Sequence, residues 1–346
     1  MKIIYRASLF TAAFFLSFLI TGCSLFTTVY YEKPVEFRNP QKMTEFIESY
    51  QKYISGKTIF LDPGHGGEDR ANRGPDGKAI EADVNLRVGL FLREYLRSAG
   101  VNVIMSREVD ATVSLNKRSE MANTSGADIF ISIHHNAPGS NSDTWINYTS
   151  TYYHAKETDF EYEPMEQDLA RFIQRDLAYA MRQSGGLGSF DGTYSDYNIY
   201  PGKGFAVLRN TTIPAVLIEG SFFTNPTEEQ RLSVEEYNKI QAWGIFRGIC
   251  RYFKSGAPKI VFSGEKKINL SETELSFLIQ DSIAINLSSI EVYVDSVKTE
   301  DFSFNKKNQN LKLNVKNDKP AYVRIKAANI NKNYSLPFHF NYPTNK

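Results

Sequence analysis

The sequence predicts an α/β domain with a mixed, mostly parallel sheet flanked by helices, followed by an all-β, immunoglobulin-like sandwich. Strand and helix signals alternate over about 200 residues, the pattern of strands joined through helical crossovers. The composition then shifts at Ser255-Gly256-Ala257-Pro258. Beyond it no helical period recurs, and short alternating runs follow at regular spacing, as in a sandwich. A chain of 346 residues has room for two such cores.

Thr58-Ile59-Phe60-Leu61 is a short apolar run suited to a buried strand. Val84, Val88, Leu92, Tyr95 and Ala99 recur at helical spacing, and Gly100 supplies the stop. Residues 101–105 form the next strand, 115–123 a short helix and 128–133 a strongly apolar strand. Residues 145–153 alternate like an edge strand. Met165, Leu169, Phe172, Ile173 and Leu177 mark one face of a long helix. Residues 205–209 and 215–218 read as two more core strands. Tyr237, Ile240, Ile245 and Ile249 belong to a final helix ending near Phe253, with Cys250 a small buried apolar residue within it.

The first domain is thereby bounded at 54–255 and the second at 259–346. In the second, the alternating runs are Leu275/Phe277/Ile279, Ile290/Val292/Val294, Leu311/Leu313/Val315, Val323/Ile325 and Phe338/Phe340/Tyr342. Its length suits a seven-stranded immunoglobulin-like module.

The N-terminus stands apart from both. Lys2 and Arg6 precede an uncharged apolar run, 7–21, too short to span a bilayer comfortably, which reads as a signal-peptide core. It ends in Ile20-Thr21-Gly22-Cys23, which resembles a bacterial lipobox. That resemblance implies removal of residues 1–22 and acylation of Cys23, each buried CH₂ holding the membrane by about 0.8 kcal/mol. Residues 23–53, with Pro34, Pro40 and a short helix at 42–53, then read as a membrane tether. The expected address is the cell envelope, lipid-anchored and facing the periplasm. Ser24, rather than Asp, favours the outer membrane where two membranes exist. With Cys23 acylated, Cys250 has no cysteine left to pair with. Forty basic against 39 acidic residues leave a net charge of +1. That balance gives no electrostatic basis for a nucleic-acid partner.

The chain has five histidines, His65, His134, His135, His154 and His339. His65 lies in Leu61-Asp62-Pro63-Gly64-His65-Gly66-Gly67, a glycine-rich turn just after the first core strand. His134 closes the apolar strand before Asn136, and Glu219 closes Ala215-Val216-Leu217-Ile218. Ligand sites of α/β sheets gather at the carboxyl ends of strands, so these three converge on one rim. Each also has a plainer reading: a structural histidine, a phosphate-cradling turn, a salt-bridged carboxylate. The lysine and Ser/Thr of a P-loop are missing from the turn, however. An ionised carboxylate after four apolar residues also needs a compensating charge or metal.

Four ordered blocks carry a resemblance. They are Leu61 to Gly67, Glu81-Ala82-Asp83-Val84-Asn85-Leu86, Ser132-Ile133-His134-His135-Asn136-Ala137, and Val207-Leu208-Arg209 through Glu219-Gly220. Together they resemble the zinc-dependent N-acetylmuramoyl-L-alanine amidases, the type-3 amidase family, over residues 58–253. The resemblance implies a zinc amidase/exopeptidase-like fold and a zinc ion held by His65, Glu81 and His134, with Glu219 as the catalytic carboxylate. It further implies peptidoglycan as substrate, for cell-wall remodelling or daughter-cell separation.

The motif selects His134; His135 then faces away, since neighbouring strand residues point to opposite sides. His154 and His339 are expected to be surface or packing residues, and Asp83 a charge for the start of its helix. Arg209 could bind a stem-peptide carboxylate or serve as a structural ion-pair partner. Two departures stand out: the family commonly has Glu-Leu-Gly where this chain has Glu219-Gly220-Ser221, and residues 185–204 are long. Acids at 157, 159, 161 and 163 could cover the metal, although a solvated acidic loop is the favoured reading. Competing functions are a zinc carboxypeptidase on the stem peptide and a non-catalytic peptidoglycan-binding lipoprotein. The β-domain leaves room for an activator or envelope partner.

Overall fold

A computed structural model describes residues 29–139, 143–183 and 191–343. The chain divides into two units, Met1–Tyr31 and Glu32–Lys346. The apolar run 7–21 and Cys23 lie outside the described residues. Among the described residues, no helix is long and apolar enough to cross a membrane.

Two helices, α1 (Val35–Arg38) and α2 (Pro40–Ile54), come first. Asn39 caps α2 by accepting from the Gln41 N–H at 3.1 Å, and Pro40 takes the first helical position, where no donor is needed. This part of the expected tether is packed onto the domain. Phe46 meets the rings of Trp243 and Phe246, and Glu36 forms a buried ion pair with Arg247. An apolar face and a buried charge that finds its partner fix a segment whose composition alone reads as a linker.

The α/β domain runs β1 (Thr58–Pro63), α3 (Glu81–Ser98), β2 (Asn102–Met105), α4 (Leu115–Thr124), β3 (Ile129–Asn136), β4 (Ser150–Tyr153), α5 (Pro164–Met181) and β5 (Thr193–Ser195). It continues through α6 (Ala206–Arg209), β6 (Ala215–Phe222), α7 (Pro226–Leu232) and α8 (Glu235–Ser255). The sheet order is β2-β1-β3-β6-β4-β5. The first four of these strands are parallel, β4 runs antiparallel to β6, and β5 is parallel to β4.

Alternation sorts the side chains into two buried layers. Phe60, Phe130, Leu217 and Tyr152 face α4 and α6, packing with Ala122, Val207 and Leu208. Ile59, Leu61, Ile131, Ile133, Val216 and Ile218 are buried on the opposite face, where α3, α5 and the central α8 pack. Each large apolar side chain buried this way stabilises the fold by about 1.5–3 kcal/mol.

Three expectations need correction. Residues 205–209 form the helical turn α6, because the Phe205 carbonyl accepts from the N–H groups of Leu208 and Arg209. A short apolar run cannot distinguish strand from buried helix. Of 145–153, only β4 is a strand, and it lies inside the sheet between β6 and β5 rather than at its edge. The helix α7 was missed, although Asn225 caps it and Pro226 opens it.

The C-terminal region holds eight strands: β7 (Lys259–Lys267), β8 (Glu272–Gln280), β9 (Ile285–Val294), β10 (Val297–Thr299), β11 (Phe302–Asn305), β12 (Asn310–Lys316), β13 (Ala321–Asn329) and β14 (His339–Tyr342). They form two antiparallel sheets, β11-β12-β8-β7 and β10-β9-β13-β14. Leu275, Phe277, Ile279, Val292, Leu311, Leu313, Val323 and Ile325 fill the space between them, as their alternation in sequence requires.

Candidate metal centre and active site

The turn after β1 is held open by two arginines. Arg118 on α4 donates to Asp62 Oδ1 at 2.6 Å and to the carbonyls of Pro63 and His65 at 2.8 Å. Arg107 donates to the carbonyls of Pro63, Gly64 and Ala82. These bonds fix His65 with φ of 59°, a backbone conformation that side-chain-bearing residues rarely adopt. Gly64 must be glycine, since a Cβ there would stand 2.1 Å from His134 Nε2. The close approach presses the His134 ring against the turn and aims Nδ1 toward Glu81.

Glu81 opens α3, and its buried carboxyl lies between the two rings. Oε2 is 3.1 Å from His65 Nε2, and Oε1 is 3.1 Å from His134 Nδ1. One donor atom from each residue lies within 4.8 Å of the other two, and this is the group of potential metal ligands among the described residues. Donors about 2.1 Å from a tetrahedral zinc lie roughly 3.4 Å apart, so the spacing fits a zinc ion. Two of the three donor residues have an outer partner: His65 Nδ1 meets Asp69 at 2.7 Å, and Asn72 donates to Glu81 Oε2 at 2.8 Å.

The electrostatics point the same way. Burial alone would raise the Glu81 pKa, but hydrogen bonds from His134 and His65 outweigh it and hold the carboxyl well below the usual range. Burial disfavours a charged His65, yet Glu81 and then Asp69 outweigh it and raise the ring to about 9. Surroundings that draw positive charge to this point suit a cation between the three donors.

Glu219 sits directly opposite His134 in the parallel pairing of β3 and β6. Its Oε2 is buried without a hydrogen-bond partner among the described residues. Burial, and then the charge of Glu81, pushes its pKa well above the ordinary value. A bulge follows immediately, between the His134/Glu219 and Asn136/Phe222 pairs.

The other expected residues lie elsewhere. His135 faces away, buried between Asn85 and Gln241, and burial lowers its pKa to about 4. His154 is buried and bonded to Asp196 at 2.9 Å, and His339 lies on the sandwich against Glu163. Asp83 is in the first turn of α3, paired with Arg70. Arg209 donates to the carbonyls of Lys203 and Gly204 and lines a cavity with His154, Glu166 and His339. That cavity lies near the amino end of β6, where Glu166 accepts from the Ala215 N–H, whereas Glu219 lies toward the carboxyl end. The acids at 157–163 are not in the ligand group, and Glu163 is tied to Arg324 of the sandwich.

Sequence reasoning missed Arg107, Arg118, Asn72 and Gln241. A buried arginine on the otherwise polar α4 leaves no periodic trace.

The profile of the N-acetylmuramoyl-L-alanine amidase family (Amidase_3) matches residues 59–251. The germination-specific N-acetylmuramoyl-L-alanine amidase of Bacillus subtilis is 35% identical over 214 residues, covering 58% of this chain and 81% of that protein. The probable cell wall amidase LytH of Staphylococcus epidermidis is 34% identical over 203 residues, covering 58% of this chain and 60% of its own. The crystal structure of an N-acetylmuramoyl-L-alanine amidase from Clostridium difficile 630 aligns with a TM-score of 0.50 at 32% identity, over 57% of this chain and 97% of that one.

Proposed function

The chain belongs to the N-acetylmuramoyl-L-alanine amidase family and is a hydrolase of peptidoglycan, and from that premise we propose that it cuts the amide between N-acetylmuramic acid and L-alanine with a zinc ion held by His65, Glu81 and His134. The observation that carries this is the pair of unlike carboxylates on one rim. Glu81 is drawn into its ionised form by two imidazoles, while half-buried Glu219 has its Oε2 buried without a hydrogen-bond partner among the described residues and its pKa shifted up.

When bound, zinc would supply Lewis acidity, making a water acidic near neutral pH and polarising the scissile carbonyl. Glu219 takes the proton of the attacking water and delivers it to the departing nitrogen of L-alanine. A carboxyl whose pKa is raised toward the working pH suits both halves of that transfer. Glu81 stays ionised throughout, and Asp69 and Asn72 keep His65 and Glu81 aimed inward. Mass analysis of digested murein tests the bond specificity. The expected products are free glycan and an intact stem peptide, and a shortened stem still attached to sugar would make this a carboxypeptidase instead.

Two further assignments rest on sequence and topology. The signal-like run and Cys23 support a lipid anchor in the cell envelope, tested by acyl labelling of wild type against Cys23→Ala. The strand orders of the two C-terminal sheets support an immunoglobulin-like reading of the sandwich, and with it a role in docking to the wall or to an envelope partner.

A further inference from the structure

Behind the three metal-facing residues lies a buried polar chain that the proton transfers above do not use. Asn85 is one turn along α3 from Glu81. Its Nδ2 donates to Glu81 Oε1 at 3.3 Å and to the Gly64 carbonyl at 3.2 Å. Its Oδ1 is therefore the acceptor and lies 2.7 Å from His135 Nδ1, so that nitrogen carries a proton. The neutral ring then offers a lone pair at Nε2, 3.0 Å from Gln241 Oε1, which is a second acceptor. The Gln241 Nε2 donor, meanwhile, is buried without a hydrogen-bond partner among the described residues. Rotating the amide by 180° exchanges its two ends. Nε2 then donates to His135 Nε2, which removes the contact between two acceptors and gives the orphaned donor its partner.

The far end of the chain is equally constrained. A Cβ at position 220 would stand 2.0 Å from Gln241 Nε2 and 3.0 Å from His135 Nε2. Gly220 is thus the opening through which Gln241 reaches the ring. At the near end, the His135 backbone N–H also donates to Glu81 Oε1, at 3.0 Å. Glu81 Oε1 consequently receives two bonds here, while Oε2 is the oxygen that faces His65.

We propose that Gln241, His135 and Asn85 are positioning residues, a relay admitted by Gly220 that fixes the carboxylate of Glu81 for metal binding. The proposal rests on the metal assignment above. Removing an outer partner of a metal ligand typically costs about 10- to 100-fold in affinity.

The test uses the full chain and zinc itself, with affinity read by competition against a chromophoric chelator. Ligand geometry is read from the visible spectrum of the cobalt(II)-substituted protein. Gln241→Met keeps the length of the side chain and removes both polar ends. Gly220→Ala removes no polar group and displaces Gln241, with the tip of the His135 ring beside it. Each should weaken zinc binding about 10-fold and alter the cobalt spectrum. The double variant should lose no more than the weaker-binding single, because both break the same link. Folding is checked by a cooperative thermal transition, and if Gln241→Met does not fold, Gly220→Ala decides. Folded variants that keep wild-type affinity and spectrum, or losses that add, would overturn the relay. A wild-type chain that binds no zinc would overturn the metal assignment itself.

Discussion

At the seam between the α/β domain and the sandwich, buried charge faces opposite charge or carbonyl oxygen. Arg324 donates to the carbonyl of Tyr162 and to Glu163, each at 2.6 Å, and Lys326 donates to the same carbonyl at 2.9 Å. Asn329 and Asn333 donate to the carbonyls of Ser255 and Gly256 at the end of α8. At the carboxyl rim of the central sheet, two carboxylates share one neighbourhood instead, one over-supplied with imidazole and one without a partner. The seam is arranged for cohesion, whereas the rim keeps an electrostatic imbalance that a cation and a mobile proton would relieve.

That contrast can be broken from either side. The largest effect is expected at the rim from His65→Ala, which removes a ligand and should take zinc content and amidase activity to background together. Glu219→Gln should separate the two, lowering kcat by about 10²- to 10⁴-fold while zinc content stays unchanged, since Glu219 is outside the ligand group. Loss of zinc in Glu219→Gln would place that residue among the ligands.

At the seam, Arg324→Ala leaves Glu163 without its arginine and the Tyr162 carbonyl with Lys326 alone. A loss of about 3 kcal/mol is expected in denaturant unfolding, at the low end for a buried pair because Glu163 keeps some solvent contact. The activity of the molecules that remain folded should not change.

The smallest expected effect is a pH dependence at Glu166, which burial raises to about 8 despite the Ala215 N–H bond. Its proton is held more tightly in the folded than in the unfolded chain, so stability should fall as pH rises from about 4.5 to about 8. Glu166→Gln should flatten the melting temperature across that window by a few degrees. A slope unchanged by this substitution would assign it to other groups.

The fold was legible wherever period and punctuation agreed. The five alternating runs of the sandwich fall on strands, apart from Phe338, which just precedes β14, and the helix marked by Val84, Val88, Leu92 and Tyr95 is α3. Legibility failed where only tertiary partners decide. Residues 205–209 are apolar enough for a strand but turn into α6, and residues 35–54 read as a tether because the sites of Phe46 and Glu36 lie on α8. The site split in the same way. Its first residues sit at strand ends within glycine-rich or apolar runs, which a sequence displays. The groups that orient them, Arg107, Arg118, Asn72 and Gln241, come from scattered positions with no local signature. Arg209, a motif neighbour of Glu219 in sequence, lines a cavity near the amino end of β6, a placement that sequence adjacency does not display.

If two imidazoles and one buried carboxylate hold a single catalytic metal ion, zinc stoichiometry by elemental mass spectrometry will register it. After dialysis against zinc-containing and then metal-free buffer, the full chain is expected to retain one zinc per molecule and His134→Ala essentially none. A wild-type chain that retains no zinc, or a His134→Ala chain that retains a full equivalent, would contradict the account.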